Sequence, residues 1–459
     1  MNHGSEVARL KLLLREPPER TAYPTVDEVL ASVSALARQC PDARVYPLCC
    51  TRRGETVPVV QIGEGGLRVL AIGFPHSNEA AGAVALDWLA WCLARSRELR
   101  EALGCTWYMI VCLDPDAARL NHSFFRRPDS LLSYALGYFR QPATDQPEWS
   151  FPVRYRTLTH DRPTPESRAL AELIDRVRPQ VFFSLHNSNL SGVHYWLMDP
   201  APRLHPVLQC IPQQAGLPLH LGEPQHALAR EIDRAIYKWT AIAEVYEYFA
   251  AYHDGDPADL VGEGMSAEEY ARERCGAFVL VTELPYFVPT GGFDTAPAGP
   301  TRRDIALEEV EACREHYAFL DRLVQDAAPW LSPAYVEAHR RTMRRLLDTL
   351  RARERCIGQE AEYSRPATRA EALDRRFMHR VSWLLQVGVF LRVIEGRLRR
   401  LPDEEAERLA RVKDRALRWL VEEEERIRRE VPYHPTPIRE ATVVQVAAML
   451  AAVDYVRSR

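Results

Sequence analysis

The stretch AIGFPHSNEAAG, residues 71–82, carries a hydrophobic run directly into His76 and Glu79. The residues before it are apolar, as in a buried strand, and AAGAVALDWLAWCLARSREL (80–99) after it has the composition of a helix. Ligands of α/β sheets bind just beyond the carboxyl ends of strands. One metal ion would explain both side chains, but it requires further ligands from elsewhere in the chain.

Other parts of the chain alternate between apolar strands and helices. Short apolar runs over 43–74, broken by glycine turns, predict antiparallel strands that lead into the buried one. Further buried strands are predicted over 106–115, 180–188 and 276–287, and helices over 25–40, 80–99, 165–179 and 226–250. This alternation predicts an α/β fold with a mixed, mostly parallel central sheet flanked by helices.

Beyond residue 301 the sequence is helical in period, with breaks at prolines. We therefore predict two domains: a catalytic domain over 1–300 and an all-helical C-terminal domain over 301–459. Three roles are open for these helices: they could cap the active site, form a homo-oligomer, or bind a partner domain.

Composition bounds the class of protein. The chain has 459 residues and a net charge of −4, and this balance favours neither a nucleic-acid nor a membrane-surface partner. No apolar stretch is long enough for a membrane span, and the N-terminal apolar stretch is too short for a signal peptide. The ten cysteines are scattered without a CxxC pair, which favours a reducing, cytoplasmic location.

Polar side chains stand at the end of each predicted buried strand. His186 ends VFFSLHNS, Glu283 ends FVLVTELP, and the turn after 106–115 carries Arg119 and Asn121. Buried charges need a partner or a metal ion. Four strand ends with such groups therefore predict one site at one edge of the sheet.

His76, Glu79 and His186 make a set of two histidines and one carboxylate, and hydrolytic zinc sites use three protein ligands and leave one position for water. A carboxylate outside the coordination shell must take the proton of that water, and Glu283 is the candidate. Arg119 is the candidate for stabilising the oxyanion. A non-heme iron site uses the same ligand types, but it would leave Glu283 and Arg119 without roles.

The segments GFPHSNE, LDPDAARLN, FFSLHNS and VTELP, in this order, resemble the motifs of the zinc carboxypeptidase (carboxypeptidase A-like) superfamily. The resemblance covers about residues 21–300. It implies one Zn²⁺ ion held by His76, Glu79 and His186, with Glu283 as catalytic base and Arg119 as oxyanion partner.

The chain departs from this family at two places: the residues that bind the substrate carboxylate, and the residue that orients the ligand His186. In place of the family's Asn-Arg pair, which binds the substrate carboxylate, it has NHSFFRRP (121–128), so Asn121 with Arg126 or Arg127 is implied there. Ser184 replaces an acidic residue two positions before His186, so another group is expected to orient that histidine.

Two further assignments concern a tyrosine and a histidine. The resemblance also implies a substrate-capping tyrosine before Glu283; Tyr248 is the first candidate, and the alternatives are Tyr246, Tyr252 and Tyr270. His194 lies among apolar residues and is interpreted as a packed core residue. It is the alternative metal ligand if His186 does not bind the ion.

Three functions follow from these residues. The first is a zinc hydrolase that releases a C-terminal amino acid from a peptide or small amide conjugate with a free carboxylate. The second is an N-acyl amino acid deacylase, or a related amidohydrolase, of the aspartoacylase-like branch. The third is a scaffold with a vestigial site, which the intact trio and Glu283 disfavour.

Overall fold

A computed structural model describes residues 16–223, 228–291 and 293–459. Its strands are β1 (Ala43–Cys50), β2 (Thr56–Ile62), β3 (Leu67–Ile72), β4 (Cys105–Ile110), β5 (Val153–Tyr155), β6 (Leu158–His160), β7 (Val181–Leu190), β8 (His194–Leu197), β9 (Arg230–Asp233), β10 (Ile236–Lys238), β11 (Phe278–Pro289), β12 (Pro297–Thr301), β13 (Pro366–Thr368) and β14 (Tyr433–Pro435).

The α-helices are α1 (Val26–Gln39), α2 (Ala81–Arg95), α3 (Arg97–Leu103), α4 (Pro115–Ala118), α5 (His122–Arg126), α6 (Leu131–Gly137), α7 (Pro165–Val177), α8 (His205–Gln214), α9 (Ile242–Tyr252), α10 (Ala267–Cys275), α11 (Arg302–Ala327), α12 (Pro333–Gln359), α13 (Arg369–Leu398), α14 (Asp403–Glu430) and α15 (Ile438–Arg457). Helix α1 begins with a capping box, in which the side chains of Thr25 and Glu28 each accept a hydrogen bond from the other residue's backbone N–H.

Ten strands form the main sheet, with nine of them in the order β1-β2-β4-β3-β7-β11-β8-β10-β9 and β14 paired to β11. The four central strands β4, β3, β7 and β11 run parallel, and β1 and β2 pair antiparallel with their neighbours on this path. Strand β8 pairs antiparallel with β11 and parallel with β10. The predicted α/β fold with a mixed sheet and parallel centre is confirmed.

Both faces of the sheet are covered, as the near-continuous apolar sequence of its central strands requires. Adjacent residues of β7 illustrate this, because Phe183 belongs to the largest hydrophobic cluster and Phe182 to a second cluster on the opposite face. Neither side chain is exposed to solvent. The central strands therefore hold the residues at their carboxyl ends on a rigid, two-sided core.

One predicted helix is wrong. Within the described residues of 226–250, the chain forms the antiparallel strands β9 and β10 before α9 begins at Ile242. Strand β10 pairs with β8 near the edge of the main sheet. Its apolar residues Ile236 and Tyr237 are buried there, although their spacing in the sequence is also compatible with a helix. Tertiary pairing decides the structure of such short segments.

The turn after β3 is shaped by close packing of the backbone. A Cβ atom on Gly73 would lie 2.7 Å from the carbonyl oxygen of Val111, so only glycine fits there. Phe74 follows with a φ angle of 49°, in the left-handed region that turns the chain sharply. The N–H of Ala81, at the start of α2, donates to Oδ1 of Asn187 at 3.0 Å. The segment that carries His76 is thus fixed from both sides.

The C-terminal helical region predicted from the sequence is present as α11 to α15. Its residues share the largest hydrophobic cluster with the sheet region, since Val84 and Phe183 belong to the same cluster as Val381 and Val446. Strand β14, between α14 and α15, also extends the main sheet by pairing with β11. The two predicted regions are therefore packed on a continuous core.

One helix among the described residues, Arg369–Leu398, is long and apolar enough to cross a membrane by length and composition alone. Within its most apolar window, 61% of the residues are buried inside the protein. Val381 and Leu384 are completely buried there. This is the burial expected of a core helix, and the cytoplasmic location stays a prediction.

Candidate metal centre and substrate cavity

The structure brings together the three predicted ligands, His76, Glu79 and His186. His76 and Glu79 lie in the turn between β3 and α2, and His186 lies on the neighbouring parallel strand β7. All three are at most 4% exposed. Residues 110 positions apart in sequence meet because adjacent parallel strands end at the same edge of the sheet.

The two imidazoles present the same nitrogen to one carboxylate. His76 Nδ1 lies 2.8 Å from Glu79 Oε1, and His186 Nδ1 lies 3.0 Å from Glu79 Oε2. One donor atom from each of the three residues lies within 4.8 Å of the others. Zinc bonds of about 2.0–2.1 Å place ligand atoms about 3–4 Å apart, so these donors are close to a coordinating arrangement.

The opposite nitrogens of both histidines face Glu148, which the sequence analysis did not identify. Its Oε1 atom lies 2.8 Å from His186 Nε2, and its Oε2 atom lies 2.8 Å from His76 Nε2. The hydroxyl of Ser184 donates to Glu148 Oε1 at 3.0 Å. The group expected to orient His186 in place of an acidic residue at 184 is thus Glu148, and it contacts both histidines.

The charges around the two imidazoles favour a cation. Burial would raise the pKa of Glu79, but the neighbouring His76 and His186 hold the pKa below its usual value. Burial would also raise the pKa of Glu148, and the same two histidines outweigh burial and lower it. Burial would lower the pKa of His186, and the carboxylates Glu148 and Glu79 outweigh it and raise that pKa. Two ionised carboxylates therefore enclose the imidazole pair.

Glu268 lies behind this cluster. Its side chain is inaccessible to solvent, and neither carboxyl oxygen has a hydrogen-bond partner among the described residues. Burial, followed by the charge of Glu148, raises its pKa well above the usual value. Glu268, Glu148 and His186 also have donor atoms within 4.8 Å of one another. The raised pKa of Glu268 follows from its place beside the Glu148 carboxylate.

Glu283 stands beside the trio on β11, paired with His186 in the parallel register. Burial raises the pKa of Glu283 to about 7, with Glu79 adding to this effect and His186 opposing it. Its side chain is partly exposed and lines the cavity in front of the trio. A carboxylate with a pKa near neutrality can both accept and return a proton.

A cavity of about 450 Å³ opens in front of His76, Glu79 and His186. Its wall combines residues of the sheet edge, of the segment between α6 and β5, of the loops after β7 and β10, and of helix α13. The aromatic residues among them are Tyr138, Trp149, Trp196 and Trp239. The residues from α13 are Met378, Ser382, Leu385 and Gln386. The C-terminal region thus forms part of the cavity wall, as expected of a cap.

Arg140 is the cationic side chain that lines the cavity within the described part of the chain. Its Nη1 atom lies 3.6 Å from Glu79 Oε1, and its Nε donates to Gln146 Oε1 at 3.0 Å. The guanidinium also lies 5.2 Å from the ring centre of Trp149, within the range of a cation–π contact. Arg140 is therefore held beside the metal ligands, and it was missed because it lies in an irregular loop.

The structure does not bring Arg119 to this cavity. Its guanidinium forms ion pairs with Asp27, at 2.5 Å, and with Glu55. Arg119 is absent from the cavity wall, because the 3₁₀ turn after α4 directs it toward those two acids. The oxyanion role predicted for Arg119 is not supported, and Arg140 occupies the corresponding place beside the ligands.

The predicted anchor residues lie outside the cavity as well. Arg126 pairs with Glu28 at 3.0 Å, and Arg127 lies 3.5 Å from Asp129. The side chains of Arg126 and Arg127 are 55% and 76% exposed, as is common for surface ion pairs. Neither arginine is positioned to bind a substrate carboxylate in the cavity.

Asn121 is completely buried, and its side chain forms hydrogen bonds with the backbone of neighbouring loops. Its amide nitrogen donates to the carbonyls of Phe139, at 2.9 Å, and Ser77, at 3.1 Å, and its oxygen accepts from the N–H of Phe139. These bonds hold the loop that carries Arg140 against the turn that carries His76. Asn121 therefore contacts the scaffold of the cavity and does not line it.

Tyr248 does not line the cavity either. It lies on α9, it is buried, and its ring packs against Phe249 and Tyr252 with centroids 5.3 and 5.2 Å away. It belongs to a hydrophobic cluster formed with residues of α11 and α12. Tyr138 is the tyrosine that the structure places in the cavity wall.

His194 lies on β8, opposite Glu283 in the antiparallel register. It is buried, and its ring centre lies 4.8 Å from that of His220. Burial, followed by the neighbouring His220, lowers the pKa of His194 well below its usual value. His194 lines the cavity but is not part of a metal-ligating group among the described residues.

Two imidazole nitrogens and one carboxylate fit a divalent metal such as zinc. They supply the donor types of a three-ligand hydrolytic site, and Glu148 supplies the outer carboxylate that commonly fixes a ligating histidine. His76, Glu79 and His186 would hold the ion through Nδ1 of each ring and the Glu79 carboxylate.

No protein-family model matches the sequence, and no curated protein matches it. Among solved structures, the chain is similar to a metallo-carboxypeptidase from Burkholderia cenocepacia, with 17% identity and a TM-score of 0.34 over 56% of this chain and 59% of that one. It is also similar to carboxypeptidase A from Helicoverpa armigera, with 14% identity and a TM-score of 0.39 over 62% and 72% of the two chains.

A third similar structure is bovine thrombin-activatable fibrinolysis inhibitor in complex with tick carboxypeptidase inhibitor. Its identity is 10% and its TM-score 0.37, over 73% of this chain and 98% of that one. Identities and TM-scores this low do not establish a reaction, which has to be argued from the site.

Proposed function

We propose that the protein is a metal-dependent hydrolase that cleaves an amide bond of a small substrate. The observation that supports this most strongly is the juxtaposition of His76, Glu79 and His186 with Glu283 at one end of a cavity. A structural metal site would be closed by a fourth protein ligand, whereas this trio faces a cavity that admits water and substrate.

A divalent cation bound by the trio would lower the pKa of its water to about 7 and polarise the scissile carbonyl. Glu283 accepts the proton of the attacking water and returns it to the leaving nitrogen. Arg140 lies beside Glu79 and donates hydrogen bonds to the oxygen that becomes negative.

The substrate is a peptide or small amide conjugate with a free carboxylate, from which the enzyme releases a C-terminal amino acid. The cavity of about 450 Å³ and its wall from α13 favour small substrates over folded proteins. Arg140 is the guanidinium within reach of a carboxylate there. The enzyme is expected to act on short peptides and to leave the exposed tail of a folded protein intact.

The alternative is deacylation of N-acyl amino acids, and one observation favours it. Arg126 and Arg127 lie on the surface, so the cavity lacks the separate carboxylate anchor that the sequence implied. Hydrolysis of blocked dipeptides and of N-acyl amino acids by the zinc-loaded protein separates the two reactions. Activity on neither panel, at full metal occupancy, would contradict both.

A homo-oligomer formed through the C-terminal helices is a further proposal. Sedimentation of the full chain tests it directly. A monomer at micromolar concentration would rule it out.

A further inference from the structure

The wall of the cavity carries more acidic than basic side chains. Within the described chain, its wall carries four carboxylates, those of Glu79, Glu263, Glu269 and Glu283, against the single guanidinium of Arg140. Glu79 belongs to the proposed metal trio and Glu283 is the proposed base. Two acidic side chains are therefore left without a role in the reaction.

Glu269 already has partners. Both of its carboxylate oxygens accept a hydrogen bond from the backbone N–H of Ile242, at 3.2 and 3.1 Å, at the start of α9. It is buried, and this contact explains its presence at a helix N-terminus. Glu269 thus contributes negative charge to the wall, but its carboxylate is engaged by the protein.

Glu263 has no hydrogen bond and no ion pair with any other described residue, although it lies in the same wall. Arg140 is turned toward Glu79 and Gln146 and does not come within 4 Å of it. Arg345, on α12, packs against Gly262 but does not line the cavity and forms no ion pair with Glu263. Burial raises the pKa of Glu263, and the charges of Arg345 and Arg140 oppose this effect from a distance without forming an ion pair with it.

The uncharged part of the wall suits an organic cation. Tryptophan faces attract ammonium and guanidinium groups, and Trp149, Trp196 and Trp239 line the same cavity. Helix α13 contributes uncharged side chains only. A cationic group of the substrate would therefore meet a carboxylate and aromatic rings, with Arg140 and the proposed metal ion at the other end of the charged wall.

We propose that Glu263 determines specificity by binding an ammonium or guanidinium group of the substrate in this cavity. This inference rests on the proposed hydrolase function and names the class of substrate that the hydrolase prefers. The cation can be a basic side chain or the free amino terminus of a short peptide, and the two sources share the same chemistry. Arg140 and Glu263 would then bind opposite charges of one zwitterionic substrate.

The test compares matched substrates on the zinc-loaded full-length protein. N-acetyl-alanyl-lysine and N-acetyl-alanyl-arginine present a basic side chain, and unblocked alanyl-norleucine presents a free amino terminus. N-acetyl-alanyl-norleucine carries no cationic group and is called the neutral member for its uncharged side chain and blocked amino terminus. We expect kcat/KM of at least one cationic member to exceed that of the neutral one by about 10-fold or more, the size of a charge-assisted contact. The series identifies which source of the cation is recognised.

Glu263→Gln should reduce this preference to below about 3-fold while leaving the neutral substrate within 2-fold of the wild-type value. Glu263→Asp should keep part of the preference, which excludes a general folding defect. Glu273→Gln, on the exposed face of α10, is the matched control and should leave all substrates unchanged. Equal preference in wild type and Glu263→Gln, or no preference in wild type, would overturn the proposal.

Binding separates this inference from the proposed function. Titration calorimetry into the zinc-loaded protein should show lysine, which carries both kinds of ammonium group, bound about 10-fold more tightly than Nα-acetyl-norleucine, which carries neither, and Glu263→Gln should remove the difference. If no peptide is hydrolysed yet lysine binds through Glu263, the hydrolase function fails and the cation site stands. Equal affinities with active hydrolysis would reject the cation site alone.

Discussion

Glu283 and His186 are direct partners in the parallel register of β7 and β11, so the proposed base is fixed relative to a proposed ligand by backbone hydrogen bonds. The two residues are 97 positions apart in the sequence, and neither depends on a mobile loop for its place. This pairing fixes the proposed base relative to one of the residues that would hold the metal ion.

Replacing Glu283 by glutamine should therefore remove catalysis and leave the metal site intact. The substitution keeps the shape of the side chain but removes its ability to accept a proton, which contributes about 10²–10⁴-fold in comparable enzymes. We expect kcat to fall by that factor, at unchanged zinc content measured by elemental analysis. Full activity in Glu283→Gln would exclude this residue as the base.

Glu148 should control metal affinity through both histidines at once. It contacts Nε2 of His76 and of His186, each at 2.8 Å, and loss of such an outer partner costs about 10–100-fold in metal affinity. Glu148→Gln should raise the zinc Kd by at least this factor in a competition titration with a chelator. Glu172→Gln, on the partly exposed face of α7, is the control and should not change the Kd.

Arg140 and Arg119 are predicted to differ sharply when replaced by alanine. Arg140→Ala should lower kcat by about 10²–10³-fold, the usual effect of removing a donor to an oxyanion. Arg119→Ala should leave kcat within 3-fold, because its guanidinium pairs with Asp27 and Glu55 outside the cavity. Steady-state kinetics on one substrate measures both.

The same Arg140 variant can locate the substrate carboxylate. If Arg140 also binds that group, its loss should raise KM for a peptide with a free C-terminus much more than for the matching C-terminal amide. Equal effects on both substrates would limit Arg140 to the oxyanion.

Glu309 is expected to make the stability of the helical region depend on pH. Its carboxylate lies 2.5 Å from Arg353 and 3.0 Å from Arg375, linking α11 to α12 and α13. Burial would raise its pKa, but the two arginines outweigh it and hold the pKa below the usual value of 4.5. Its stabilising contribution is therefore complete above pH 4.5 and is lost as the pH falls below this value.

Glu309→Gln should reduce the free energy of unfolding at pH 7 by up to about 3 kcal/mol, the scale expected when one partner of a buried pair is removed. The difference from wild type should shrink as the pH falls below 4.5, in urea unfolding followed by circular dichroism. Glu308→Gln, whose side chain is 57% exposed, is the control. A difference that stays constant from pH 7 to pH 3.5 would contradict the assigned role.

The central strands and the polar groups at their ends could be predicted because both follow from local sequence. Apolar runs of strand length ending in His76, His186 and Glu283 are visible without knowledge of the fold, and parallel pairing brings such ends together. The sequence could not show where Arg119 points, because Asp27 and Glu55 are 92 and 64 positions away.

Glu148, Arg140 and Glu263 could not be found in the sequence for a different reason. They lie in segments without hydrophobic periodicity, where no pattern fixes the direction of a side chain. The helix predicted over 226–250 failed because a segment with helical spacing pairs with the edge of the sheet instead. Contacts distant in sequence decide such positions, and only the folded structure reveals them.

The central claim is that His76, Glu79 and His186 hold one divalent metal ion. X-ray absorption spectroscopy of the zinc-reconstituted protein, with elemental analysis of the same sample, tests it most directly. We predict one zinc ion per chain, with nitrogen and oxygen neighbours at about 2.0–2.1 Å and the outer scattering of two imidazoles. His186→Ala should lose the ion and His194→Ala should keep it. A wild-type protein that binds no stoichiometric metal, or a His186→Ala variant that retains it unchanged, would contradict the account.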